Sequence, residues 1–269
     1  MIKLIASDLD GTLVPEGTPD MDPNVYEVVR NLLKEGVTFV AASGRNYESV
    51  MSVFGCMEKE ITVISDNGGY VAKGGNELYC NGFPRDLLKE VVELARHVPD
   101  AWLMASAARS TYTDQNDPKY VTWVREGYKM NIRIVEDLLD VEEPLIKVAL
   151  YTYAKDAAEV AAPLKEKLGD RVSIALAGER WVDLMMPGIS KGSALSNIQK
   201  TLGITCEETA AFGDNGNDIS MLQQAAESFA VENAREEVKA TARYVIGDVT
   251  QGAVLRELER LLAEAKRQH

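Results

Sequence analysis

The sequence predicts an α/β fold into which a second, α+β domain is inserted, and three observations carry that prediction. Short runs that are apolar throughout alternate with helical patterns in the first and last thirds of the chain, the mark of a parallel sheet covered by helices on both faces. The middle third gives up that alternation for strands that follow one another in pairs, which suggests an antiparallel sheet. A hydrophobic content of 46% over 269 residues supplies core for one large domain or two modest ones without staples.

The elements follow in order. Residues 3–7 form a short apolar run. Asp22-Pro23 then supplies an N-cap and a proline at the first helical position, and residues 24–35 carry Val25, Val28, Val29, Leu32 and Leu33 at helical spacing before Gly36 closes the helix. A strand over 38–42, a helix over 47–54 and a strand over 61–64 come next, with Gly74-Gly75 turning a hairpin between 70–72 and 77–79. The middle region opens with a helix over 85–98 and strands over 101–107 and 110–113. It closes with a helix over 156–168 and strands over 172–177 and 181–186, so a helix-strand-strand unit occurs twice. Between the copies lie a helix over 119–128 and strands over 132–135 and 146–151. Alternation resumes with helices over 191–202, 217–226, 234–240 and 251–265 and strands over 209–212, 228–231 and 244–246. The domains are therefore expected at 1–83 with 187–269, and at 84–186.

Composition removes several function classes. A formal net charge of −13 argues against nucleic acid, which recruits proteins through lysine and arginine contacts to phosphate. The same charge is no bar to a phosphate ligand, because charges beyond a Debye length of ~8 Å hardly act and a bound divalent cation inverts the local sign. Only two histidines, His97 and His269, are present, and His97 lies in an amphipathic helical pattern, so a Ser-His-Asp triad or a histidine-rich metal site is not expected. Cys56, Cys80 and Cys206 are far apart, with no spacing for a disulfide framework or a zinc knuckle, which suggests a reducing, cytoplasmic compartment. No segment reaches the ~18 continuous apolar residues of a membrane span, and the first residues run straight into a charged motif at Asp8 with no room for a signal peptide core. A soluble chain with no membrane partner is expected. Carboxylates, lysine and a hard metal are left to carry any catalysis.

Asp8-Leu9-Asp10-Gly11-Thr12-Leu13 follows directly on the first strand, at the end of an open α/β sheet where ligands bind. Two carboxylates one residue apart can hold Mg²⁺, and the bland alternative is a solvated turn. Ser43-Gly44-Arg45 follows the second strand, Lys191-Gly192-Ser193 opens a helix, and Gly213-Asp214-Asn215-Gly216-Asn217-Asp218 follows a later strand. These four segments, in this order, resemble the four motifs of haloacid dehalogenase-type phosphatases. The tail from Asn233-Ala234 to Gly252 is similar to the Cof-type branch, and the inserted domain resembles its type IIB cap.

The resemblance implies a Rossmann-like core and an aspartyl-phosphate mechanism. Asp8 would be the nucleophile, Asp10 the general acid and then the general base, and Lys191 a point charge for phosphate oxygens. Mg²⁺ would be held by Asp8, Asp214 and the main-chain carbonyl of Asp10. Ser43, Gly44, Arg45, Thr12 and Asn217 are candidate substrate contacts, and Asp218 is placed to orient Lys191. Asn67, in Ser65-Asp66-Asn67-Gly68-Gly69, reads as a tight turn more than as a substrate contact. Arg109, Tyr112, Trp123, Arg180 and Trp181 are candidate contacts in the cap, although aromatic residues at strand spacing are usually core. The implied activity is hydrolysis of small phosphorylated metabolites, sugar phosphates foremost, after closure of the cap has excluded water and selected the leaving group. A phosphomutase working through the same intermediate is the first alternative, and a non-catalytic metabolite-binding protein is the second. A P-type pump lacks its membrane segments here, and a P-loop protein lacks its Gly-x-x-x-x-Gly-Lys-Ser/Thr signature.

Overall fold

Residues 1–15, 21–127, 131–177 and 180–267 are described by the structure, a computed structural model. The chain divides into two compact units, one of Met1–Arg45, Val50–Leu78 and Ser190–His269, the other of Asn46–Ser49 and Tyr79–Ile189.

The first unit is built on a sheet whose middle is buried on both faces. Strands β1 (Leu4–Ser7), β2 (Thr38–Ala42) and β3 (Thr62–Ser65) are almost wholly buried, as continuous apolar runs require. After β4 (Tyr70–Lys73) and β5 (Asn76–Cys80) the chain leaves for the second unit, and it later contributes β12 (Thr209–Gly213), β13 (Glu227–Ala230) and β14 (Tyr244–Val245). The strand order is β14-β13-β12-β1-β2-β3-β4-β5, parallel except for the antiparallel β3–β4 pair among the registered ladders. Successive strands run outward from β1 in one direction, while β12 joins β1 on its other side. The carboxyl ends of β1 and β12 thus flank a topological switch point, the crevice where open α/β sheets bind ligands.

Helices cover this sheet where their apolar stripes dictate. In α1 (Pro23–Lys34) the Asp22 carboxylate caps Asn24 N–H at 2.9 Å, Pro23 occupies the first turn, and Val25, Val28, Val29 and Leu32 form the buried stripe. It packs against α9 (Ala253–Lys266), whose Val254, Leu258, Leu261 and Leu262 repeat the spacing. The helix expected over 217–226 is shorter in the structure. A 3₁₀ turn over Gly216–Asp218 leads into α7 (Ile219–Leu222), which goes no further because Ala226 N–H, the donor a helix would return to Leu222 O, donates to Cys206 O at 3.0 Å instead. A tertiary partner claims the group that a continuing helix would need.

The second unit has a six-stranded sheet in the order β10 (Ser173–Ala177), β11 (Trp181–Met185), β9 (Lys147–Thr152), β6 (Ala101–Ser106), β7 (Thr111–Thr113), β8 (Ile132–Ile134). It is antiparallel as expected, except that β7 and β8 are parallel, since α4 (Pro118–Gly127) crosses between them. The C-terminal end of the helix expected over 119–128 falls at residue 128, outside the described residues. One face buries Leu103, Leu150 and Leu184 against Leu88 and Val91 of α3 (Arg85–Arg96) and Val160 of α5 (Ala157–Leu168). The other carries stacked aromatic residues, Trp102 on Tyr120 at 4.8 Å and Trp123 on Trp181 at 6.1 Å.

The cap residues singled out in the sequence are used within this unit. Tyr112 donates its hydroxyl to Glu143, Arg180 donates to the Lys155 carbonyl at 3.3 Å, and the Arg109 guanidinium lies 4.8 Å from the Tyr47 ring centroid. Trp123 and Trp181 belong to the aromatic stack.

Candidate active site

Strand ends and helix starts gather the site in the first unit. Asp8 leaves β1 with its N–H still donating to Phe212 O of β12 at 3.0 Å, so the two strands deliver Asp8 and Asp214 side by side. Between them the chain must turn sharply, and Gly11 makes this possible. Its φ is +82°, and a Cβ there would stand 2.5 Å from Asp214 Oδ2, so a side chain would both strain the turn and displace the carboxylate.

Lys191 arrives from the start of α6 (Lys191–Leu202). Ser190 caps that helix in a reciprocal capping box with Ser193, and the lysine side chain is driven inward. Its Nζ lies 2.5 Å from Asp8 Oδ1 and 2.6 Å from Asp218 Oδ1, with no side-chain exposure. Asp218 is held in turn by its other oxygen, which accepts from Asp214 N–H and Asn215 N–H, both at 3.0 Å. Burial alone would lower Lys191, but Asp218 and Asp8 outweigh it and hold the ammonium above its ordinary range. Asp8 is pushed well above the carboxylate range, first by burial and then by Asp218, with Asp214 adding to it against the pull of Lys191. Asp214 is also raised, chiefly by burial, against the hydrogen bond from Thr12.

The remaining motif residues meet one another. Arg45 grips Asp10 with two prongs, Nε to Oδ2 at 2.8 Å and Nη2 to Oδ1. Thr12 donates its hydroxyl to Asp214 Oδ1 at 2.7 Å. Ser43 is buried after β2, and its Oγ accepts from Arg45 N–H at 3.1 Å. Asn217 donates to Asn67 Oδ1 at 2.8 Å, and the Asn67 side chain lies beside Gly44. Sequence reasoning gave Asn233 no individual role, yet its Nδ2 donates to Gly11 O at 2.9 Å and its Oδ1 accepts from Val249 N–H at 3.2 Å. Nothing local marks it, because its partner Gly11 lies 222 residues away.

A family model described as haloacid dehalogenase-like hydrolase matches residues 5–258, nearly the whole chain and all four motif segments. The chain belongs to that family. Among curated haloacid dehalogenase-like relatives, the 5-amino-6-(5-phospho-D-ribitylamino)uracil phosphatase YbjI of Escherichia coli is 32% identical over 97% of this chain and 96% of its own length. The HMP-PP phosphatase of Klebsiella pneumoniae is 27% identical over 94% and 93%. A solved structure from Eubacterium rectale superposes with a TM-score of 0.90 at 31% identity, covering 97% of this chain and 99% of that one. The protein is an enzyme of the phosphatase type within these hydrolases. No described helix is long and apolar enough to cross a membrane.

Haloacid dehalogenase-like phosphatases generally use Mg²⁺, and the residues here fit such an ion. Asp8, Asp214 and Asp218 each bring a carboxylate oxygen within 4.8 Å of the others, all three buried, with one ammonium among them. That surplus of hard, negative oxygen donors is the environment a small divalent cation prefers. Both Asp218 oxygens are already engaged, by Lys191 and by two backbone N–H groups. Asp8 and Asp214 are therefore the side chains with oxygen to offer.

Proposed function

We propose that this enzyme hydrolyses phosphate monoesters of small metabolites, sugar and sugar-alcohol phosphates foremost, with Mg²⁺ as cofactor and Asp8 as the transient carrier of the phosphoryl group. The observation that carries the reading is the Lys191 ammonium lying between Asp8 and Asp218 beside Asp214. A lone lysine opening a helix has no reason to be buried, and this one is buried against the carboxylate that would attack. The name of the Escherichia coli relative, a phosphatase acting on a phosphoribityl compound, supports the substrate class.

In this reading the Asp8 carboxylate forms a bond to phosphorus while the bond from phosphorus to the leaving oxygen breaks. Asp10 gives that oxygen a proton. As a carboxylate, Asp10 then takes a proton from water, whose oxygen displaces Asp8 from phosphorus, releasing inorganic phosphate and restoring both side chains. Arg45 fixes the plane of the Asp10 carboxyl group through its two-pronged pairing. Lys191, charged throughout, offsets negative charge on the phosphoryl oxygens, and Ser43 Oγ and the Gly44 N–H add donors. Thr12 serves by holding Asp214, and Asn217 by holding Asn67. Asp8, Asp214 and the Asp10 carbonyl would hold Mg²⁺, which would supply positive charge to offset the repulsion of carboxylate and phosphate.

The inserted domain, residues 84–186, selects the leaving group in the same reading. A cytoplasmic setting accompanies it, the reading suggested by the wide sequence spacing of Cys56, Cys80 and Cys206.

The test is Asp8→Asn assayed on p-nitrophenyl phosphate with Mg²⁺, where kcat is expected to fall at least about a thousandfold. Retention of a tenth of the turnover would remove Asp8 from the reaction. Hexose monophosphates assayed for free phosphate against rearranged sugar separate hydrolysis from a mutase.

A further inference from the structure

Asn67 stands where three of the four motif segments meet, in a backbone conformation that its neighbours must enforce. Asp66, Asn67 and Gly68 have φ of +46°, +54° and +104°, two non-glycine residues in succession in the left-handed region. Such a residue is strained and persists only when surrounding structure over-determines it. The surroundings do so. Asp66 N–H donates to Arg45 O at 2.8 Å and Asn67 N–H to Ser43 O at 3.0 Å, which fastens the turn to the second motif. A Cβ on Gly68 would stand 2.4 Å from Ser190 O, so the turn also rests on the cap of α6, one residue before Lys191. From the fourth motif, Asn217 donates to Asn67 Oδ1 at 2.8 Å.

A tight turn alone does not need this. Glycine would adopt the same φ with no strain, whereas here a carboxamide is held against Gly44 by a hydrogen bond from 150 residues away. With Oδ1 engaged by Asn217, the polar group the side chain has left to present is its NH₂, a donor, on a loop lying beside Gly44 and the start of α6. Backbone strain held by long-range contacts at such a junction is a mark of function, and the chemistry of a donor there matches an oxyanion.

We infer that Asn67 is a substrate-contacting residue whose carboxamide N–H donates to a phosphoryl oxygen of the bound monoester. The inference rests on the phosphatase reading above and adds to it a contact at the phosphate.

The decisive variant is Asn67→Gly, which deletes the carboxamide and suits the backbone. Three quantities are read: thermal midpoint, kcat/KM on p-nitrophenyl phosphate with Mg²⁺, and calorimetric binding of inorganic phosphate in the presence of Mg²⁺. Loss of a hydrogen bond to a charged oxygen is expected to weaken phosphate binding and kcat/KM about tenfold or more, with the midpoint equal to or above wild type. Asn67→Asp, which keeps an acceptor for Asn217 but points a carboxylate at the phosphate, is expected to lose more than Asn67→Gly on both counts.

Phosphate binding and kcat/KM within twofold of wild type in Asn67→Gly would overturn the inference. So would a loss accompanied by a lowered midpoint, which assigns Asn67 to loop support, or a loss seen only with sugar phosphates, which assigns it to the leaving group. Wild-type protein that binds phosphate but hydrolyses no monoester would count against the hydrolytic reading alone, and the binding comparison would still decide Asn67. Wild-type protein that binds no phosphate would overturn both.

Discussion

A lysine with 1% of its surface exposed is tolerable at position 191 only because two carboxylates meet its ammonium. Removing one partner of a buried ionic cluster leaves the others uncompensated, at a cost of about 3–5 kcal/mol. Lys191→Met is therefore expected to lower the urea midpoint by an amount in that range when measured near pH 7 without added metal. The deficit should shrink as pH falls and Asp8 takes up a proton. A midpoint equal to wild type would mean that the ammonium does not compensate these carboxylates. Asp8, Asp10, Lys191 and Asp214 were all legible as residue types in motif order, and the structure gathers Asp8, Lys191 and Asp214. What each polar atom touches was not: Arg45 reaches 35 residues back to Asp10, Thr12 reaches 202 forward to Asp214, and Asn217 reaches 150 back to Asn67. Thr12 and Arg45, candidate substrate contacts in the sequence, pair with Asp214 and Asp10 in the structure, because no local pattern encodes a partner that the fold alone supplies.

The elements that present these residues are held by their ends. Ser190 caps α6 at the point where Lys191 must turn inward, accepting from Ser193 N–H at 3.0 Å while Ser193 Oγ accepts from Ser190 N–H at the same distance. Ser190→Ala is expected to cost about 1 kcal/mol in chemical denaturation, with kcat reduced only a few-fold because the backbone carbonyl against Gly68 is unchanged. A kcat loss comparable with that of Asp8→Asn would instead make the hydroxyl part of the chemistry. Helix α1 was readable from its cap, its proline and its 3.6-residue apolar spacing, since all of those signals are local. The helix expected over 217–226 was overestimated because its competitor, the Cys206 carbonyl, comes from another element. The parallel β7–β8 pair was hidden for a similar reason: strand patterns give no direction, and only the crossover by α4 decides it.

At the scale of the whole molecule, the buried carboxylates couple folding to pH and to metal. Asp8 and Asp214 have folded pKa values raised above the ordinary range. Between the unfolded value of about 4 and the raised folded value, the native state binds more protons than the unfolded chain. Metal-free stability contributed by these groups is therefore full below that window and is lost as pH rises through it. A divalent cation prefers the ionised carboxylates, so its stabilisation should grow across the same window, reaching about 2.7 kcal/mol at a hundredfold excess over Kd. Thermal midpoints from pH 4.5 to 7.5 in EDTA and in Mg²⁺ check this, and parallel curves would sink it. The sequence by itself determined the fold class, the alternation of strand and helix on either side of an inserted region, and the four motif segments by which the chain resembles its family, because periodicity, caps and strand-end motifs are written within a few residues of one another. The tertiary structure alone decided which carboxylate the lysine meets, which aspartate is already saturated with hydrogen bonds, and that Asn67 joins three motifs, because those facts depend on distances between segments that only a folded sheet brings together.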